Sequence, residues 1–94
     1  AVDIRRGSST FGLYKAVILS SKKSRSFWVP SGFAHGFQVI SENAVVQYKV
    51  TNFFNPASEV TIRFDDPELG IDWPLQDYII SEKDNKGIKI SEFK

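Results

Sequence analysis

Hydrophobic and polar positions in this 94-residue chain alternate over short runs, and no stretch of ten or more residues holds a helical period. Strands are predicted over residues 1–5, 13–19, 26–29, 36–40, 44–50 and 59–64, with a last one over 88–90. Turn formers separate them: Gly7-Ser8-Ser9, the polar residues 20–24, Pro30-Ser31-Gly32, Ser41-Glu42-Asn43, Asn55-Pro56, and Asp65-Asp66-Pro67-Glu68-Leu69-Gly70. One helical turn is predicted over 81–86, with Ser81 as its cap. Short strands at roughly 8–12-residue intervals are the pattern of an antiparallel sandwich, jelly roll or barrel. The fold class read from the pattern is all-β, in one domain.

The stretch from Trp28 to Val50 is the most informative. Alternation puts Phe37 and Val39 on the face of His35, and Val46 and Val50 on the face of Tyr48, while Gln47 and Lys49 point the other way. A tight turn over 41–44 pairs Ile40 with Val45, Val39 with Val46 and Phe37 with Tyr48, so both apolar sets share one side. A one-residue slip would turn Gln47 and Lys49 inward, which the pattern opposes. His35 then lies diagonal to Tyr48, roughly 7–8 Å away between strand positions. Two readings of this pair stand side by side. In one, Tyr48 is a core residue bonded to backbone and His35 is satisfied at a strand start; in the other, both line a ligand cavity of a small barrel.

Composition narrows the function classes. Twelve Lys and Arg against eleven Asp and Glu leave a net charge of +1, which suggests neither a nucleic-acid nor a membrane surface. The basic cluster Lys22-Lys23-Ser24-Arg25 reads as a solvated loop. With no Cys and a single His, neither a disulfide framework nor metal-ligand spacing is present, and no metal or cofactor is expected. No apolar run is long enough to span a bilayer and no signal peptide opens the chain, so the expected compartment is cytoplasmic. The chain lacks Met and begins in strand-like sequence, which reads as a piece of something longer.

Taken in order, Ala1-Val2-Asp3-Ile4-Arg5, Thr10-Phe11-Gly12, residues 28–37 (WVPSGFAHGF), Tyr48-Lys49-Val50-Thr51, residues 65–74 (DDPELGIDWP) and Ile80-Ser81-Glu82-Lys83-Asp84 resemble the dTDP-4-dehydrorhamnose 3,5-epimerases. The resemblance implies a cupin-type double-stranded β-helix, or jelly roll, of which residues 1–94 are the C-terminal part, incomplete, with a short helical turn at its end. It implies the substrate class, a dTDP-4-dehydro-6-deoxy sugar, and inversion at the carbons flanking the C4 ketone. It also implies roles: Tyr48 as the acid that returns the proton, Asp84 as orienter of the base histidine, His35 lining the sugar pocket, Lys83 touching substrate. A homodimer is expected, or pairing with a chain that supplies the missing strands.

The departures from the family pattern carry equal weight. The family's base histidine lies in an upstream Arg-Gly-Leu-His segment that is absent here, as is a lysine near the C4 oxygen. Phe54 stands where many members have a tyrosine beside the nucleotide base; Ser9 and Ser31 stand for Pro and Glu. His35 is a different residue and does not take over the base role. The chain alone is therefore expected to be nearly inactive, since each positioned acid or base contributes roughly 10²–10⁴-fold. Two other readings remain: a related nucleotide-sugar cupin (a 5-epimerase or 3,4-ketoisomerase), or a non-catalytic β module needing a partner. Trp28, Trp73, Asp65 and Asp66 read as packing and turn residues.

Overall fold

The computed structural model describes residues 1–23, 25–49, 59–76 and 79–93. Its order is β1 (Val2–Asp3), β2 (Phe33–Ala34), α1 (Glu82–Asn85) and α2 (Ile90–Phe93), joined by extended segments and turns. β1 is the central element. On one side it pairs antiparallel with β2, Val2 opposite Ala34 and Asp3 opposite Phe33. On its other side Asp3 N donates to Leu13 O at 3.0 Å, Gly12 N to Asp3 O at 2.8 Å and Lys15 N to Ala1 O at 2.9 Å.

Alternation then decides where the side chains of β1 go. Val2 enters a small core with Leu69 and Ile90, which Ile4, Phe11, Ala34, Ile62 and Ile71 flank. Asp3 is turned away from that core and is buried by the loop that follows it. Gly32 closes the turn before β2 at φ +88°, and a Cβ there would stand 2.6 Å from Arg5 Cγ, so only glycine lets the two segments meet.

The C-terminal part is organised as a seam between residues 59–66 and 83–90. Ile62 and Ile88 form a parallel bridge, with Ile88 N donating to Thr61 O at 2.9 Å and Arg63 N to Ile88 O at 2.8 Å. The turn at Asp66 behaves as its sequence implies: Leu69 N and Gly70 N donate back to Asp66 O at 3.0 and 3.1 Å. Ser81 caps α1, its hydroxyl accepting from Asp84 N at 3.2 Å.

Of the predicted strands, 26–29 forms none and 59–64 keeps only the isolated bridge at Ile62; three further expectations need correction. The last strand stops at Ile88, because the Ile90 N–H is taken by the buried Asp66 carboxylate at 2.7 Å. The Glu92 carboxylate meanwhile accepts from Lys89 N at 3.1 Å, so a helical turn starts there instead. Residues 36–49 contain no strand ladder, although a hairpin was predicted over them. Tyr14 holds only an isolated bridge to Val2 within the predicted 13–19 strand. The reason is the same for the last two: Ile18, Val39, Val45 and Val46 are exposed, and a hairpin with nothing packed on its apolar face is marginal.

Candidate functional site

His35 immediately follows β2, and its ring lies 6.0 Å from that of Tyr48, tilted by 51°. Phe37 approaches the same tyrosine at 6.4 Å, so its two contacts come from alternate positions of one segment. That is the relation the predicted register requires, reached without the ladder. The opposite side of the segment is tied down by Gln38, whose side-chain amide donates to Leu75 O and accepts from Leu75 N, both at 3.1 Å. His35, Phe37 and Tyr48 are all exposed, and no described residue bonds to the Tyr48 hydroxyl. The three rings form an aromatic group open to solvent.

Lys83 and Asp84 sit on the single turn of α1. Both are exposed. Lys83 pairs with Glu59, whose carboxylate raises the ammonium pKa above its ordinary value. Asp84 spends its backbone N–H on the Ser81 cap, and its carboxylate is left without a bond among the described residues. No hydrogen bond, ion pair or ring contact joins these two residues to His35 or Tyr48 among the described residues. The structure thus brings His35, Phe37 and Tyr48 together and places Lys83 and Asp84 on a separate turn. Phe54, expected beside the nucleotide, lies outside the described residues.

The sequence reading missed the donors gathered around the Asp3 carboxylate. Arg5 grips Asp3 with two parallel bonds, Nε to Oδ1 and Nη2 to Oδ2, each 3.0 Å, while Arg5 N donates to Oδ1 at 2.9 Å. Ser8 Oγ adds a bond to Oδ2 at 2.7 Å and Thr10 Oγ1 donates to the same oxygen. The Arg5 bond, then that of Thr10, holds the Asp3 carboxyl well below the usual carboxylate range despite its burial. Arg5 also lies over the Phe33 ring at 4.9 Å. The signal was legible: an Asp and an Arg two apart on a strand share a face, with Ser8 and Thr10 in the next turn.

Trp73 packs as expected, its Nε1–H donating to Phe64 O at 2.9 Å and its ring set edge-on to Phe64. Trp28 does not pack: it is 76% exposed and flanks an open cleft of about 300 Å³ with Tyr14, Phe27 and Phe33. Among the described residues no cluster of His, Asp and Glu side chains could hold a metal ion, and no helix is long and apolar enough to cross a membrane.

Comparison with known proteins gives one consistent result. The family model described as dTDP-4-dehydrorhamnose 3,5-epimerase matches residues 1–92. A protein of that name from Pseudomonas aeruginosa is 54% identical over 88 residues, covering 93% of this chain and 49% of the relative. One from Methanothermobacter thermautotrophicus is 48% identical over 89% of this chain and 47% of its own, and one from Escherichia coli is 43% identical over 98% and 50%. The chain thus spans about half the length of the curated relatives it matches. No solved structure matches it.

Proposed function

The chain belongs to the dTDP-4-dehydrorhamnose 3,5-epimerase family, and on that premise we propose that it is the C-terminal part of such an enzyme. Its fold in the complete protein would be a cupin jelly roll. The reaction would invert C3 and C5 of dTDP-4-dehydro-6-deoxyglucose, and the protein would work as a homodimer or paired with a chain that supplies the missing strands. Protons at those carbons are acidic because their loss turns the C4 ketone into an enolate, with the charge on its oxygen, which therefore needs stabilising donors. Inversion needs a base on one face of the ring and an acid on the other.

The observation that carries the division of labour is the 6.0 Å approach of His35 to Tyr48. Two groups side by side on one wall address the same face of a sugar ring. If Tyr48 returns the proton, His35 cannot be the base that removes one from the opposite face. His35 then lines the sugar pocket, and the base is a histidine outside these 94 residues, oriented and kept protonated after abstraction by Asp84. Lys83, once released from Glu59, would contact the substrate, and Phe54 would lie near the nucleotide.

The test uses a completed chain, in which these residues replace the matched stretch of the Pseudomonas relative. In D₂O it should incorporate deuterium at both C3 and C5; label at C5 alone would mark a 5-epimerase. Tyr48→Phe should lower formation of the fully epimerised product by roughly 10²–10⁴-fold. Undiminished product from that variant would remove Tyr48 from the acid role. A second reading is favoured by the solitary histidine: the 94-residue chain alone is a non-catalytic β module. It predicts no turnover without the remaining half.

A further inference from the structure

Asp66 is one of two buried acidic residues among those described, and the reaction gives it no task. Its Oδ2 accepts from Ile90 N at 2.7 Å and its Oδ1 from Glu68 N at 3.0 Å. The carboxylate therefore ties the turn at 66–70 to the first residue of α2, and Ile90 is the most buried hydrophobic residue described, at 3% exposure. Two further restraints act on the same short segment. Ile88 is bonded on both sides to Thr61 and Arg63. Gly87 fits against them so closely that a Cβ would stand 2.8 Å from Arg63 N and 2.9 Å from Ile62 C.

Gly87 N in turn donates to Asp84 O at 3.3 Å, so the anchored segment is continuous with the turn that carries Lys83 and Asp84. Nothing else buries α1, whose residues are all exposed. A four-residue helix has no stability of its own, because its nucleation cost is not repaid by one or two bonds. Apart from the exposed Lys83–Glu59 pair, its position is imposed from its ends. Ser81 closes one end locally, and the seam fixes the other.

We infer that Asp66 is a positioning residue for the candidate site: through its bond to Ile90 N it locks the 87–90 segment and so sets where Asp84 points. The inference rests on the reading of Asp84 as orienter of the base, and it extends that reading to a residue eighteen positions upstream. Asp66→Asn is the discriminating change. It is nearly isosteric but keeps one accepting oxygen, so one of the two N–H groups must face an NH₂ group.

The experiment uses the completed chain and measures amide hydrogen exchange first. Exchange at Asn85, Lys86 and Gly87 should rise at least tenfold in D66N while that at Asp3 and Ile4 does not; unchanged exchange at 85–87 overturns the inference. Where D66N fails to fold, the parent protein decides: the amides of 85–87 should share the protection of Ile90, and independent opening of α1 overturns it. Activity separates the two claims. D66N should lower kcat about tenfold, shift the pH profile of kcat/KM in the same direction as Asp84→Asn, and have no added effect in the D84N background. Additive losses overturn the inference, whereas full activity of D84N alone would remove Asp84 from the mechanism and leave the exchange result standing on its own.

Discussion

At the residue scale, a buried carboxylate is tolerated only when its lone pairs are filled, and Asp3 meets that condition with donors from Arg5, Ser8 and Thr10. Its carboxyl is held far below the ordinary value, which fixes the sign of its pH dependence. The stabilisation is complete above the unfolded value of about 4 and is lost as pH falls below it. Asp3→Asn should therefore be less stable than the parent at pH 7, with the gap between their urea midpoints narrowing steadily as pH falls below about 4. Parallel curves over that range would show that acid sensitivity arises elsewhere. Tyr48 gives the contrasting case, a side chain 56% exposed with its hydroxyl free of the described residues. Its placement beside His35 was legible because period-2 alternation survives even where the ladder does not. Hydrophobic alternation carries no such signal for Asp3, whose partners Ser8 and Thr10 come from the turn after the strand.

At the scale of elements, the short-range signals were the reliable ones. Ser81 caps α1 as predicted because capping needs only three residues of context, and Asp66 turns the chain for the same reason. Ser81→Ala should destabilise the chain by about 1 kcal/mol, read from urea unfolding of the completed protein. Gly87→Ala should cost more, about 1–3 kcal/mol, because the new methyl meets backbone atoms of Ile62 and Arg63 that have no rotamer to yield. If the alanine variant proved as stable as the parent, the close parallel approach at 62–63 would be wrong. The end of the chain shows the limit of such reasoning. Ile88-Lys89-Ile90 alternates like a strand, yet a bond from a side chain twenty-four positions upstream converts its end into α2. Nothing within a local window carries that information.

At the scale of the whole molecule, the scarcity of ladders among the described residues goes together with a set of exposed apolar side chains. Leu13, Ile18, Leu19, Phe37, Val39, Ile40, Val45 and Val46 are all exposed, while the buried hydrophobic residues among those described are Val2, Leu69 and Ile90. Of these, the sequence pattern put Phe37, Val39 and Val46 on one inner face, and that alternation was legible; what covers the face was not, and the chain spans about half of its relatives' length. Covering even four such side chains would contribute roughly 6–12 kcal/mol before ordering costs, comparable to the whole stability of a small domain. The 94-residue chain by itself should therefore bind a hydrophobic dye, unfold with a low urea m-value and self-associate. The completed chain should lose the dye signal and unfold in one steeper transition, because m scales with the surface exposed on unfolding. Should the short chain instead show native cooperativity, no dye binding and a monomeric mass, its apolar face would be closed by its own residues. The proposal that another half completes the site would then fall with it.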